Sequence, residues 1–161
     1  MAVFGIVRGA VEGIVSSSER REVFSRGSGT ILLVQDKRPE VSQPLWKLPG
    51  GRTEPGESWD VTLVREISEE VKITIHRPEQ SDRVLRVQLP DHVFLVYCAQ
   101  YYTGMVEKGD EILRVAVFSH DEVRAMLQWG IILPKYAKAL YTYLTLGLSH
   151  RERAYTEKEM R

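Results

Sequence analysis

The segment from Leu48 to Ile73, LPGGRTEPGESWDVTLVREISEEVKI, constrains this chain more than any other part of it. A glycine-rich turn precedes a short acidic loop, and the Pro55-Gly56 turn then leads into a predicted helix. Ser58 is suited to cap the start of that helix, and Asp60 is suited to its positive end. The segment therefore predicts a turn, a loop and a helix in fixed succession.

The predicted helix carries apolar and acidic residues on different faces. Its apolar residues follow helical spacing and predict a buried stripe made of Val61, Val64, Ile67 and Val71. Glu66, Glu69 and Glu70 are spaced so that they fall on a roughly opposite face. Taken alone, these carboxylates are compatible with a solvated acidic face as well as with a metal site.

The acidic face is unfavourable unless a positive charge lies against it. Like charges at i,i+4 destabilise a helix by roughly 0.2–0.5 kcal/mol per pair, and Arg65 is placed to relieve this locally. A hard cation would relieve it better, because Mg²⁺ prefers oxygen ligands and typically takes one or two carboxylates plus substrate phosphates. Glu57, at the start of the helix, could add a further ligand.

The spacing of the whole segment is more specific than its carboxylates. It runs Gly51, five residues, Glu57, seven residues, Arg65-Glu66-Ile67-Ser68-Glu69-Glu70, and then an apolar Ile73. With this spacing the sequence closely resembles the Nudix hydrolase superfamily, whose signature is G-x5-E-x7-R-E-U-x-E-E-x-G-U, with U an aliphatic residue. The preceding Trp46-Lys47-Leu48-Pro49-Gly50 also resembles the lead-in of that family.

One fixed position of the signature differs, because Lys72 stands where the family has glycine. Glycine there suits a left-handed helix C-cap, so Lys72 either accepts a modest steric penalty or the helix ends differently. The change removes no carboxylate, and metal chemistry is therefore expected to survive. Thr62 and Leu63 replace the small residues that the family often has in mid-helix, which predicts altered packing.

The resemblance implies hydrolysis of a diphosphate linkage in a nucleoside diphosphate joined to another group. It implies Mg²⁺ as the cofactor, with Mn²⁺ as an alternative, since a divalent ion neutralises phosphate oxygens and acidifies water. By position, Glu66, Glu69 and Glu70 resemble the metal-binding or base carboxylates, with the catalytic role given to Glu66 and Glu69. Glu57 resembles a supporting metal ligand, and Arg65 a catalytic residue that orients the carboxylates. Which glutamate is the base stays open.

Residues around the helix are predicted to meet the substrate. Gly50 and Gly51 allow the backbone to approach a ligand closely, and Arg52 could touch a phosphate, with solvation as the equal alternative. Many members of the family take another acidic residue from a loop after the strands, and Glu111 is the candidate here. An ordinary loop carboxylate is the stronger expectation for Glu111.

Base recognition cannot be read from the sequence. Four aromatic residues could stack on a base, although burial is the stronger expectation for rings in and beside strands: Trp46, Trp129, Tyr101 and Tyr102. Lys37 and Arg38 could reach a phosphate from their loop, although solvated surface charge is favoured there.

Length and composition limit the possible classes of protein. With 161 residues we expect one domain, with residues 1–15 and 150–161 peripheral to it. Equal numbers of basic and acidic residues, 22 each, give no bulk charge for nucleic acid or an anionic membrane. A small nucleotide-type molecule is the partner that the resemblance implies. The single cysteine, Cys98, is expected in the core and fits a cytoplasmic location. No apolar run is long enough to cross a membrane.

Periodicity and turn signals divide the rest of the chain into strands and helices. Strands are predicted at 22–26, 30–35, 83–89, 93–102 and 112–118, and helices at 119–128 and 134–146. Residues 2–15 fit a helix or a bent strand, and their glycines leave a homodimer contact open. The pattern gives an α/β or α+β class with a mixed sheet. The resemblance narrows this to an α/β/α sandwich.

Two other functions compete with the hydrolase. A catalytically silent ligand-sensing or interaction domain on the same fold is supported within the signature only by Lys72. An enzyme acting on the 5′ end of RNA would need a basic groove near the site, which a neutral composition does not favour, and salt-dependent RNA binding would identify it.

Overall fold

The computed structural model of the protein describes residues 1–9, 29–37 and 44–147, with side chains as far as residue 145. The predicted strand at 22–26, Arg38 and the peripheral segment 150–161 lie outside the described residues. The strands are β1 (Ala2–Arg8), β2 (Thr30–Asp36), β3 (Gly50–Arg52), β4 (Thr74–Ile75), β5 (Arg83–Gln88), β6 (Val93–Thr103) and β7 (Ile112–Ser119). The helices are α1 (Trp59–Val71), α2 (His120–Trp129) and α3 (Pro134–Thr142). None of the described helices is long and apolar enough to span a membrane.

The described strands form one mixed sheet with β1 near its centre. The sheet order is β4-β6-β1-β2-β7, with β3 pairing to β1 and β5 to β6. The β1 and β6 strands are parallel, in a register that places Phe4 opposite Val96, whereas the other described pairs are antiparallel. The predicted mixed sheet is confirmed, and the two strands predicted at 83–89 and 93–102 pair as an antiparallel hairpin.

The sheet is covered on both faces, which confirms the α/β/α sandwich. Alternate residues of a strand point to opposite faces, so the continuous apolar runs of β1 and β2 supply two cores. One face packs against α1 through Val3, Val7, Leu32, Val34, Leu63, Ile67 and Val71. The other packs against α2 and α3 through Phe4, Ile6, Ile31, Leu33, Val123, Tyr136 and Leu140.

Residues 2–8 of the ambiguous amino-terminal segment form β1 near the centre of the sheet, so the expectation that this segment is peripheral was wrong for them. Gly5 lies in the middle of β1, on the face that α1 covers. A Cβ atom there would be 3.0 Å from Ile67 Cδ1 and 3.3 Å from Leu63 Cδ1, so the glycine lets the helix pack closely on the sheet. The glycine that made a helix unfavourable in this segment is therefore explained by close packing of α1 on the sheet.

The predicted apolar stripe of α1 is wrong at one end. Val61 is exposed and Val64 is partly buried, while the buried residues are Thr62, Leu63, Ile67 and Val71. Thr62 can be buried because its hydroxyl donates to Glu57 Oε1 at 2.6 Å, and it also lies 3.0 Å from the Ser58 carbonyl oxygen. These hydrogen bonds rotate the buried face away from Val61.

The helix ends follow the predicted signals, with some differences. Ser58 is the N-cap of α1, but its hydroxyl donates to Asp60 Oδ1 instead of accepting from a backbone amide. Ser119 caps α2 in a reciprocal capping box with Glu122, and Gly130 ends that helix at a φ of 71°. The last helix was predicted to stay α-helical to Leu146, whereas it widens into a π-helical turn at Tyr143–Gly147.

Lys72 ends α1 in the left-handed conformation, with φ 61° and ψ 26°. This confirms that the position requires the geometry that glycine adopts freely. We expect Lys72→Gly to raise the free energy of unfolding by about 0.5–1 kcal/mol, the relief of left-handed strain less the added entropy of the unfolded chain. Urea unfolding followed by circular dichroism would measure it. The matched control is Lys138→Gly inside α3, which should instead destabilise the protein, and equal effects at both sites would contradict the assignment.

His120 makes folding sensitive to acid. Its ring is 1% exposed, neither nitrogen has a hydrogen-bond partner within the described residues, and it packs edge-on against Tyr143. Burial lowers its pKa from 6.5 to about 4, and the positive charges of Arg8 and Arg124 add to the effect. The unfolded chain takes up this proton near pH 6.5 and the folded chain only near pH 4, so stability falls as the pH falls between those values.

We expect this histidine to account for up to about 3 kcal/mol of lost unfolding free energy between pH 7 and pH 4. The difference between wild type and His120→Leu, measured by urea unfolding across that range, isolates the contribution. A His76→Gln variant, at an exposed histidine, should keep the wild-type pH dependence. If His120→Leu loses stability with pH as the wild type does, the unpaired ring is not the cause.

Candidate active site

The acidic face of α1 meets the glycine turn at strand β3. The Gly50 amide donates a hydrogen bond to Glu70 Oε2 at 3.0 Å. Gly50 has a φ of 147°, and a Cβ atom there would be 2.2 Å from the Val3 carbonyl oxygen. Glycine is therefore required at this position because β3 lies directly against β1, where Gly50 pairs with Phe4. The turn holds a backbone donor against a helix carboxylate.

Gly51 makes room for a second carboxylate of the helix. A Cβ atom at this position would lie 2.5 Å from Glu66 Cδ and 2.6 and 2.7 Å from its two carboxylate oxygens. The Glu66 side chain therefore occupies the space that any other residue at position 51 would fill. The two predicted substrate-contact glycines thus place Glu66 and Glu70, and their predicted contact with a ligand stays a prediction.

We expect Gly51→Ala to displace Glu66 and to lower any metal-dependent activity by roughly 10- to 100-fold, by analogy with loss of supporting contacts around a metal site. Overpacking should also lower the free energy of unfolding by about 1–3 kcal/mol. The double variant Gly51→Ala/Glu66→Asp, with its shorter carboxylate, should recover part of that stability in urea unfolding. An additive loss in the double variant would rule out the steric explanation.

Arg65 holds the carboxylates in place, as its predicted orienting role requires. Its Nε and Nη2 donate to the two oxygens of Glu57 at 2.7 and 2.9 Å. Its Nη1 donates to Glu66 Oε1 at 3.0 Å and to Glu69 Oε2 at 3.3 Å, and Nη2 reaches the Arg52 carbonyl at 3.2 Å. These carboxylates raise the pKa of Arg65, so it stays charged. One guanidinium thus fixes three glutamates relative to the β3 backbone.

Glu57 is a firmly held anion. Hydrogen bonds from Arg65, and then from Thr62, lower its pKa from 4.5 to about 2. The Glu54 amide also donates to Oε1, at 3.2 Å. Both oxygens are engaged within the described structure, so Glu57 positions Arg65 and stays ionised. Its predicted support of a metal would require it to share an oxygen with these donors.

Glu66 and Glu70 are partly buried, and burial raises the pKa of both. The value for Glu70 reaches about 8, although the charge of Lys47 and the Gly50 amide oppose the increase. Glu69 is exposed on the helix surface. A carboxylate with a pKa raised by burial lacks enough positive charge around it, and a divalent cation supplies such charge.

The donor set fits a divalent ion in its chemistry. Glu66, Glu69 and Glu70 offer hard oxygen ligands on one helix face, and the burial of two of them favours a cation. Among the residues that the structure describes, no three acidic, histidine or cysteine side chains form a ready-made metal site. Arg65 donates to Glu66 Oε1 and to both oxygens of Glu69, so an ion bound through those atoms would compete with Arg65.

Lys47 and Asp36 border the site and were not identified from the sequence as site residues. Lys47 Nζ donates to Asp36 Oδ2 at 3.1 Å, and the lysine side chain is only 12% exposed. Burial opposes its charge, but Tyr136, Asp36 and Glu70 outweigh burial and raise the pKa of Lys47. The sequence feature that could have identified Lys47 is its position between two apolar residues, Trp46 and Leu48, both of which are buried.

The remaining predicted site residues lie at the edge of this arrangement. The Arg52 side chain is exposed, and its carbonyl oxygen accepts from Arg65. Glu111 is exposed just before β7, and its carbonyl oxygen accepts from the Lys37 amide. Gly109 in the preceding loop donates to the Glu70 carbonyl oxygen at 2.7 Å, so this loop packs on the end of α1. The loop brings Glu111 near that helix end, and its role as an added carboxylate stays a prediction.

The aromatic candidates differ in burial, and Tyr101 is partly buried against the core beneath α1. Trp46 is buried and packs edge-on against Phe118, so the expectation of a core role is confirmed. Trp129 and Tyr102 are 75% and 62% exposed, and the same expectation was wrong for them. Each lies at the end of its element, where a ring adjoins a strand or helix without being covered by a neighbouring layer.

A family model described as the NUDIX domain matches residues 21–139 of the chain. A protein of Bacillus subtilis (strain 168), named "Putative 8-oxo-dGTP diphosphatase", is 60% identical over 43 residues, which are 27% of this chain and 26% of that protein. The match thus spans about a quarter of that relative.

Solved structures show a similar fold at low sequence identity. A NUDIX hydrolase from Nitrosomonas europaea has 20% identity and a TM-score of 0.61, covering 88% of this chain and 86% of that one. A C. elegans Ap4A hydrolase binary complex has 17% identity and a TM-score of 0.61, covering 89% and 95%. At these identities the likeness shows the fold alone.

Proposed function

The chain belongs to the NUDIX family, and from that premise we propose that it is a metal-dependent hydrolase of a diphosphate linkage in a nucleoside diphosphate joined to another group. The observation that carries this proposal is the carboxylate set of α1. Arg65 and the Gly50 amide orient it, and burial keeps Glu66 and Glu70 short of positive charge. A surface that served only solubility would leave such side chains free in water.

The proposed site combines ligands for a metal ion with a carboxylate that acts as a general base. Mg²⁺, or Mn²⁺ as the alternative, would be held by Glu66, Glu69 and Glu70 with Glu57 in support, and would neutralise diphosphate oxygens and acidify a water molecule. Through its hydrogen bonds, Arg65 holds the carboxylates of Glu66 and Glu69 beside strand β3. A general base works best with a pKa near the operating pH, and burial raises the pKa of Glu66 and of Glu70 in that direction. The base itself is left open between the glutamates.

The substrate is proposed only as a class. The name of the Bacillus subtilis relative refers to an oxidised nucleoside triphosphate, and the name of the C. elegans hydrolase refers to a dinucleoside polyphosphate. Both compounds contain the linkage proposed here. We also propose a cytoplasmic location, from the single cysteine, and action on small molecules, from the family. A homodimer is left to be tested by light scattering.

A panel of substrates tests the proposal directly. Nucleotide sugars, ADP-ribose, dinucleoside polyphosphates and oxidised nucleoside triphosphates would be incubated with Mg²⁺, with Mn²⁺ and with a chelator, and the nucleotide products would be measured by chromatography. We expect at least one class to be cleaved with metal and none with the chelator. If the folded protein cleaves nothing in the panel although calorimetry shows that it binds the metal, the catalytically silent alternative is favoured.

A further inference from the structure

Glu57 lies in the loop one residue before the N-cap of α1, so the backbone hydrogen bonds of the helix do not fix it. Its carboxylate is fixed by side-chain and loop donors instead. Oε1 accepts from the Thr62 hydroxyl at 2.6 Å, from Arg65 Nη2 at 2.9 Å and from the Glu54 amide at 3.2 Å. Oε2 accepts from Arg65 Nε at 2.7 Å. The shortest of these hydrogen bonds comes from Thr62, which links the loop carboxylate to the body of the helix.

The Thr62 hydroxyl has one proton and two acceptors within reach. The Ser58 carbonyl oxygen is 3.0 Å away, and it already accepts from the Thr62 amide at 2.9 Å. Glu57 Oε1 is nearer and carries negative charge, and hydrogen bonds to a charged acceptor are the stronger kind. Branching at Cβ also restricts the rotamers that a threonine adopts in a helix. The hydroxyl therefore stays directed at Glu57.

Burial makes Thr62 a firmer donor than the others around this carboxylate. Thr62 is fully buried, whereas the side chain of Arg65 is 23% exposed. A donor on an exposed side chain can exchange its acceptor for water, but a buried hydroxyl that loses its partner is left unsatisfied at a cost in free energy. The buried hydroxyl thus holds Glu57 against movement of the exposed side chains nearby.

The position of Glu57 decides where the guanidinium of Arg65 lies. With Nε and Nη2 bound to Glu57, Nη1 reaches Glu66 Oε1 at 3.0 Å and Glu69 Oε2 at 3.3 Å. The guanidinium also has a competing partner, because Glu54 Oε1 on an exposed side chain is 3.8 Å from Nη1. A displaced Glu57 would leave Arg65 free to turn towards Glu54 and away from the carboxylates of the helix.

We propose that Thr62 is a positioning residue for the proposed reaction. Its buried hydroxyl fixes Glu57, and Glu57 fixes the guanidinium of Arg65. The guanidinium then sets where the carboxylates of Glu66 and Glu69 lie. This inference rests on the proposed function, because it takes those carboxylates to bind a divalent ion. Position 62 is not one of the fixed positions of the family signature, so the signature does not account for this contact.

Two substitutions separate positioning from packing. Thr62→Val keeps the shape of the side chain and removes the donor, whereas Thr62→Ser keeps the donor and removes a buried methyl group. If Thr62 only filled the core, serine would be the more harmful change, because the lost methyl group leaves a cavity. If Thr62 positions Glu57, valine is the more harmful change. The expected order of the two variants is therefore opposite for the two roles.

Exchange of the Arg65 Nε proton with water, followed by NMR on the isotope-labelled full chain without metal, reports on Glu57 directly, because that proton is bonded to Glu57 Oε2. We expect exchange at least about tenfold faster in Thr62→Val, the loss of one hydrogen bond to a charged group, and near the wild-type rate in Thr62→Ser. Thr142→Val is the matched control, since the Thr142 hydroxyl donates to the Lys138 carbonyl oxygen in α3, and it should exchange as the wild type does. Wild-type exchange in Thr62→Val would overturn the positioning role.

Calorimetry with Mg²⁺ alone, together with turnover, separates this inference from the proposed function. We expect Thr62→Val to bind Mg²⁺ about tenfold more weakly, the lower end of the range for loss of a supporting contact, and Thr62→Ser to bind it as the wild type does. If the wild type cleaves nothing but Thr62→Val weakens its Mg²⁺ binding, the positioning role stands and the hydrolase proposal fails. If the wild type is active and Thr62→Val matches it in Mg²⁺ affinity and kcat, the positioning role is overturned and the hydrolase proposal stands.

Discussion

Replacing Glu70 with glutamine is expected to reduce metal-dependent turnover by roughly 10²- to 10⁴-fold, the range for loss of a group that holds or moves a proton in the transition state. The amide keeps the shape of the side chain but loses the negative charge that attracts a cation. Glu66→Gln should have an effect of similar size, because Glu66 is the other partly buried carboxylate. The rate at which the nucleotide product forms under saturating Mg²⁺, followed by chromatography, would measure both.

The Glu70→Gln variant should be more stable than the wild type in metal-free buffer. The pKa of Glu70 is raised from 4.5 to about 8 by burial, so the folded state resists ionisation that the unfolded state allows. Stability is therefore lost as the pH rises from about 4.5 towards 8, and glutamine removes this loss. We expect Glu70→Gln to gain at least about 1 kcal/mol of unfolding free energy at pH 7.5.

With Mg²⁺ added, the wild type should become more stable than Glu70→Gln. A ligand that binds only the folded state stabilises it, so Mg²⁺ should raise the midpoint of thermal unfolding of the wild type more than that of Glu70→Gln. Asp121→Asn is the control, since it neutralises an exposed helix carboxylate that pairs with Arg124 away from the site. Wild-type turnover by Glu70→Gln and Glu66→Gln would remove both residues from the site. Equal responses of both proteins to Mg²⁺ would remove Glu70 from the metal.

Gly50→Ala is expected to lower the free energy of unfolding by more than about 3 kcal/mol, the range for severe overpacking combined with backbone strain. The added Cβ would lie 2.2 Å from the Val3 carbonyl oxygen and 2.6 Å from Phe4 Cα. Both are backbone atoms of a central strand, so neither can move without separating β3 from β1. Urea unfolding would measure the loss, and failure to fold in circular dichroism would also fit it.

A matched variant distinguishes contact from conformation. Gly56 also has a positive φ, of 80°, but a Cβ atom there would meet nothing within 4 Å. Gly56→Ala should therefore cost only about 1–2 kcal/mol, the strain of a left-handed residue. A comparable loss in both variants would show that conformation alone, and not the approach of β3 to β1, requires glycine at position 50.

The order of elements and the candidate site could be predicted from local patterns. Spacing of three and four residues predicted α1, and local signals predicted a helix at 119–128 that matches α2, because helix hydrogen bonds join residues only four apart. The resemblance left two possibilities for Lys72, a left-handed residue or a different helix end, and the structure shows the left-handed residue. Fixed spacing between Gly51 and Glu70 also placed the carboxylates on one helix, whatever the rest of the chain does.

The sequence by itself therefore determined which residues share a helix, a strand or a turn. Only the tertiary structure decided that Thr62 and not Val61 is buried, that Gly50 donates to Glu70, and that Lys47 lies beside the site. Burial and charge interactions act through space between residues that are far apart in the chain. The pKa of Glu70 is raised by the layers packed around it, and its spacing from Glu66 carries no information about those layers.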